Sequence, residues 1–206
     1  MTRRTEDSGV PAPPLQAGGA PRAGAGTPHT ERDPVERARA ICLRLLTGAP
    51  RTRQQLTDAL RKRDIPEPVI DEVLDRFEEL RFVDDAAFAG AWVESRHHGR
   101  GLARRALARE LRTKGVDQAV IDEAVEQLDS EREEATAREL VARRLRATRG
   151  LDRDKRLRRL AGMLARKGYP EGMALRVVRQ ALEAEGETES EEWGDADDWP
   201  PPGTGA

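Results

Sequence analysis

The chain has little of what builds a reactive site or a wide core. One cysteine, Cys42, occurs among 206 residues, which excludes an internal disulfide framework and any cysteine-based zinc site. It stands among Ile41, Leu43, Leu45 and Leu46, a setting that predicts a packed thiol. Aromatic residues make up 3% and charged residues 36%, a composition that suits slim helical packing. No stretch approaches the roughly 18 to 20 consecutive apolar residues of a membrane span. The N-terminus lacks the charged, apolar and small-residue order of a signal peptide, so a cytoplasmic protein is expected.

Catalytic patterns are missing too. His97 and His98 are adjacent, so on a helix they point about 100 degrees apart and cannot ligate one metal as an i, i+4 pair would. Both read as helix-surface residues, and His29 lies in the N-terminal segment. There is no G-x-x-x-x-G-K-[ST] phosphate loop and no G-x-S-x-G elbow, and the short GRG at 99–101 signifies a helix break. No catalytic residue, cofactor or metal is expected, and the chain reads as a non-enzyme. Phe77, Phe82, Phe88, Trp92 and Tyr169 sit at core-like spacings, which leaves no platform for stacking bases.

What is present is charge, unevenly spread. Residues 1–34 balance to zero, residues 35–182 carry +7, and residues 183–206 carry −9 with no basic side chain. The two ends, 1–34 rich in Pro, Gly and Ala and 184–206 rich in acid, read as disordered because neither can bury enough apolar surface to offset its ordering entropy. A basic body suggests a polyanion or an acidic protein as partner.

The body repeats itself. Residues 56–74, 107–125 and 160–178 superpose so that Leu56, Leu107 and Leu160 form one column and Leu60, Leu111 and Leu164 the next. Further columns hold Ile65, Val116 and Tyr169, then Ile70, Ile121 and Ala174, then Leu74, Val125 and Val178. The turn position holds Asp64, Gly115 and Gly168, residue types that tolerate the left-handed backbone past a helix end. Apolar spacings of three and four, with start and stop signals, predict three helices per repeat and no strand. The start signals are a Thr52–Gln55 capping box, Asp84, Asp117, a Ser130–Glu133 capping box, Asp152, and the prolines Pro66 and Pro170. The expected fold is therefore all-α, with three-helix repeats at 35–83, 84–129 and 130–183 arranged in an elongated array.

Two clusters concentrate the positive charge. Seven basic residues lie between Arg96 and Lys114 against the single acid Glu110, and eleven lie between Arg143 and Lys167 against Asp152 and Asp154. Arg105, Arg109 and Arg112 share one helix face, opposite much of the Leu107–Leu111 stripe. Two readings stand beside each other: a solvated charged face, and a contact with phosphates or an acidic groove. Arginine's planar fork favours the second, although a GC-rich genome would also raise arginine over the four lysines present.

The run FVDDAAFAGAWVESRHHGRGLARRALARELRTKGVDQAVIDEAV at Phe82–Val125 closely resembles the central signature of the RecX family. The matching features are Asp84–Asp85 followed by Phe88 and Trp92, the Gly99–Arg100–Gly101 break, and a leucine-spaced helix ending in Lys114–Gly115–Val116. The resemblance covers roughly residues 35–183. It implies a modulator of RecA, seated on the RecA filament on single-stranded DNA, which restrains filament extension, ATP hydrolysis and strand exchange, with a weak, backbone-led nucleic-acid contact. A monomer is expected. Carried onto this sequence, the central motif offers Arg96, Arg100, Arg104, Arg105 and Lys114 as contact candidates, and the charge clusters add Arg109, Arg149, Arg153 and Lys155. The alternative is a direct DNA-binding transcription regulator built of helix-turn-helix-like units.

Overall fold

The computed structural model describes residues 33–194, with side-chain surroundings given through residue 186. All regular structure among the described residues is helical: α1 (Pro34–Gly48), α2 (Arg53–Arg61), α3 (Glu67–Glu79), α4 (Asp85–Arg100), α5 (Arg104–Thr113), α6 (Gln118–Glu126), α7 (Ser130–Leu145), a 3-10 turn (Arg146–Thr148), α8 (Arg153–Arg166) and α9 (Glu171–Gly194). Consecutive triplets pack into three bundles, α1–α3, α4–α6 and α7–α9. The leucine columns form their cores. Leu56, Leu60, Leu107, Leu111, Leu160 and Leu164 are all 2% exposed or less, and burying each contributes roughly 1.5 to 3 kcal/mol. Cys42 lies in the first core, where burial pushes its thiol up to about 11 and keeps it an unreactive packing group.

Local capping chemistry sets most helix starts where the sequence places them. Thr52 and Gln55 form the reciprocal box, while Asp84, Asp117 and Asp152 accept from the backbone N–H groups of Ala87, Ala119 and Lys155. The predicted Ser130–Glu133 box is corrected: Asp129 is the cap, accepting from the Arg132 N–H, and Glu133 is drawn away into the neighbouring bundle. The segment read as a disordered acidic tail from 184 begins as helix, because α9 runs on to Gly194 and Glu185 is held by Arg149 and Arg156. Residues 1–32 and 195–206, also read as disordered, lie outside the described residues.

The bundles join through their second helices, which meet end to end. The Thr52 hydroxyl at the start of α2 donates to the Lys114 carbonyl at the end of α5 at 2.6 Å. One repeat later, the Ala103 N–H at the start of α5 donates to the Lys167 carbonyl at the end of α8 at 2.9 Å. Each contact satisfies a terminal polar group and brings the N-terminal end of one helix to the C-terminal end of another. An acid from the following bundle completes each joint: Asp85 of α4 accepts from the Arg53 N–H at 2.9 Å, and Glu133 of α7 accepts from the Arg104 N–H at 2.7 Å.

The glycine column follows from this joint. Gly115 has φ 77 and Gly168 has φ 91, and at each an added Cβ would meet the start of the preceding repeat's second helix. Asp64, at the same place in the first repeat, has φ 56 but no earlier bundle to accommodate among the described residues. His97 is likewise structural rather than a surface residue. It is 3% exposed, its Nδ1 meets the Leu102 carbonyl, which can only accept, at 2.9 Å, and its Nε2 meets the Thr136 hydroxyl at 2.9 Å. It thereby ties α4 to α7 across the second joint.

Candidate polyanion interface

Helix α8 organises the positive charge. Leu160 and Leu164 are buried, which leaves Lys155, Arg158, Arg159, Gly162 and Arg166 on the opposite, solvent-facing arc. On one flank of α8 a groove of about 660 Å³ is bordered by Arg105 and Arg109 of α5 and by Arg158, over an apolar floor that includes Leu157 and Leu175. On the other flank a groove of about 450 Å³ runs between α7 and α8, bordered by Arg143, Arg144, Arg159, Arg166 and Lys167. That groove shares Leu140, Arg143 and Lys167 with a recess of about 360 Å³ reaching His98 and Arg100. Glu139 is the single carboxylate bordering the two connected hollows.

The nine candidates divide sharply. Arg104 is tied to Glu133 at 3.0 Å through its guanidinium, in addition to its backbone bond. Arg96 lies 4.2 Å over the Trp92 ring and 3.8 Å from Glu110, and Lys114 lies 4.0 Å over the other partner of that cluster, the same indole. Arg149 is paired with Glu185, Arg153 with Glu183 and Lys155 with Asp152. These six are engaged within the fold, Arg153 and Lys155 through solvent-exposed pairs. Arg100, Arg105 and Arg109 carry no ion pair among the described residues, and neither do Arg144, Arg159 and Arg166, which the candidate set omits.

The omitted residues had a signal in the sequence. Arg144, Arg159 and Arg166 have no acid three or four residues away on their own helices, whereas Arg143 has Glu139 at i−4 and pairs with it at 3.0 Å. Local spacing did not disclose the reverse case, in which the acids come from a distant helix. Glu185 shows how firmly those acids are held. Burial alone would push it up, yet hydrogen bonds from Arg149 and Arg156, together with their charges, keep it below the ordinary glutamate value.

The aromatic residues need a correction as well. Phe77 and Tyr169 are core residues at 5% and 3% exposure, and Phe88 and Trp92 pack half-buried against the second core, but Phe82 is 57% exposed. Phe82 is therefore an exposed aromatic side chain and not a core one. Among the described residues no group of three or more His, Cys, Asp or Glu side chains could hold a metal ion, and no helix is long and apolar enough to cross a membrane. The chemistry available is the binding of anions by guanidinium groups on rigid helices.

Comparison with known proteins agrees with this architecture repeat by repeat. Residues 38–77 match the family description "RecX, first three-helix domain", residues 84–125 "RecX, second three-helix domain", and residues 131–178 "RecX, third three-helix domain". A protein of Streptomyces lividans named "Regulatory protein RecX" is 74% identical over 186 residues, covering 89% of this chain and 97% of its own length. One of Thermobifida fusca with the same name is 63% identical over 166 residues, covering 81% and 88%. The crystal structure of RecX from Lactobacillus salivarius superposes with a TM-score of 0.66 at 20% identity, covering 72% of this chain and 96% of that one, a likeness of fold.

Proposed function

Since the chain belongs to the RecX family and its relatives are named regulatory proteins, we propose that it regulates recombination by seating on the RecA filament on single-stranded DNA. There, as a monomer in the cytoplasm, it restrains filament extension, ATP hydrolysis and strand exchange. The observation that carries this reading is the cation-rich surface spanning α5, α8, α7 and the end of α4, where Arg100, Arg105, Arg109, Arg144, Arg159 and Arg166 carry no ion pair among the described residues. A filament is a long anionic polymer, and a surface that presents guanidinium groups from two successive bundles can follow it over several phosphates or carboxylates.

The test is RecA ATPase on single-stranded DNA, titrated with the wild-type chain, with Arg144→Ala/Arg159→Ala/Arg166→Ala, and with Arg96→Ala/Arg149→Ala/Arg153→Ala. The first variant should need at least about tenfold more protein for half-inhibition, and its binding should lose roughly two units of slope against log salt, at ~0.7 per single-strand phosphate contact. The second should inhibit nearly as well as the wild type. Absence of any effect of the wild-type chain on RecA would end this reading, and a reversed ranking of the two variants would move the contact to another face.

A further inference from the structure

The first joint holds a concave surface unlike the arginine grooves of the third bundle. The α1–α2 connection and the α3–α4 connection face α4 across a groove of about 580 Å³. Phe82, Phe88 and Trp92 line it, Ala87 and Ala91 leave its floor low, and Arg51, Arg81 and Arg96 stand around it against the single carboxylate Asp84. Three of the seven aromatic residues of the chain thus meet in one hollow with an excess of positive charge.

The walls are rigidly held. Phe88 and Trp92 stack with ring centroids 5.7 Å apart and an interplanar angle of 15°. The indole N–H of Trp92 donates to Glu110 at 2.8 Å, and Arg96 and Lys114 lie over the ring. Phe82 is placed by the stop of α3. The Arg81 N–H donates to the Glu78 carbonyl and the Phe82 N–H to the Phe77 carbonyl, both at 2.9 Å, with Arg81 at φ 60. This helix end ordinarily takes glycine, because a side chain in the left-handed region is strained. Here an arginine occupies it, beside the most exposed large apolar side chain among the described residues, and its guanidinium is steadied by Asp84 at 2.8 Å. Strain kept at a position bordering a hollow points toward use of that position.

We propose that this groove receives one unpaired nucleobase of a single strand, stacked on Phe82, with Arg51 and Arg81 meeting the phosphates on either side. Exposed aromatic faces bordered by cations are what sequence-tolerant single-strand binding requires, since every base offers a flat π-face and every linkage a negative charge. A protein segment with a large apolar side chain would use the aromatic floor. It would supply flanking anions only where its own sequence happened to carry acids, whereas a nucleotide strand supplies them at every step. The proposal concerns this chain and an oligonucleotide alone, so it stands or falls separately from the action on RecA.

The experiment titrates the full chain with a labelled oligothymidylate, and with a strand of equal length in which every site is abasic, so that phosphates remain and bases are gone. The wild type should bind the base-bearing strand about 5- to 150-fold more tightly, the range corresponding to stacking of one base at ~1 to 3 kcal/mol. Phe82→Ala should bind both strands alike, at the weaker level. Arg81→Gly should keep or raise the melting temperature by relieving the left-handed arginine while weakening both strands, a pairing of effects that a purely structural residue would not give. Equal binding of the two strands by the wild type, or a preference that survives Phe82→Ala, overturns the proposal. If Phe82→Ala leaves oligonucleotide binding untouched but abolishes inhibition of RecA, the groove takes a protein segment and the nucleobase assignment is again overturned.

Discussion

At the first joint an added Cβ on Gly115 would meet the root of the Gln54 side chain, 2.3 Å from its Cβ, whereas at the second Gly168 faces the main-chain nitrogen of Ala106 at 2.5 Å. The acids differ in the same direction. Asp85 at the first joint is half-buried and bonds one backbone N–H, while Glu133 at the second is 1% exposed and bonds both the backbone and the guanidinium of Arg104. Tyr169 adds a buried hydroxyl bond to the Gly101 carbonyl, and His97 adds its bridge, both across the second joint. One plan is thus executed twice with different tolerance. The second and third bundles are coupled through more deeply buried polar groups than the first and second.

Substitution at the two glycines should break that comparison most visibly. Gly168→Ala is expected to cost about 3 kcal/mol or more, because left-handed strain adds to a collision with backbone. Gly115→Ala should cost somewhat less, about 2 to 3 kcal/mol, because left-handed strain again adds to a collision, here with the Gln54 Cβ, which rotation of that side chain cannot move. Thermal melting of the two variants checks the ranking, and equal losses would mean that the joints are equally rigid. Next in size comes the acid pair. Glu133→Ala should lose about 2 to 3 kcal/mol by leaving the Arg104 N–H unmet beside a charge without its partner. Asp85→Ala, which removes an exposed-side cap on the Arg53 N–H, should lose about 1 kcal/mol in urea titrations.

The smallest effect is in acid. Burial raises the Asp85 carboxyl above its ordinary value, against the pull of Arg53, so its folded form holds a proton more tightly than its unfolded form and its contribution to stability grows as pH falls through the folded value. Glu185, Glu134 and Asp152 are lowered, so their contributions are present above the ordinary carboxylate range and are lost as pH falls through their depressed values. Acid should therefore loosen the third bundle while easing the first joint. Hydrogen exchange below about pH 4 should show α8 and α9 opening before α2, and Asp85→Asn should melt within a degree or two of the wild type at neutral pH. Opening in the reverse order would show that Asp85 is the weaker point.

Much of this molecule is legible in a line of letters. The leucine columns, the aspartate caps and the left-handed turn positions recur at one spacing, and all report interactions within a few residues of chain. Local reading fails where a side chain chooses between a near and a far partner. Glu133 follows Ser130 at capping-box spacing, yet it bonds Arg104, 29 residues away. His97 sits in the last turn of α4, yet Thr136 lies 39 residues on and covers it. Phe82 has core spacing, but the α3 stop ending in a left-handed Arg81 turns it outward.

The linear order of residues by itself determined three helical bundles and their apolar faces, because helix periodicity and capping act over three to four positions. Which of the many arginines remain available to a partner was decided only in three dimensions. Arg104, Arg149 and Arg153 are neutralised by carboxylates 29, 36 and 30 residues away, brought alongside by packing between and within bundles, while Arg144, Arg159 and Arg166 meet no such carboxylate among the described residues. Charge pairing falls off with distance in space, and chain separation does not measure that distance.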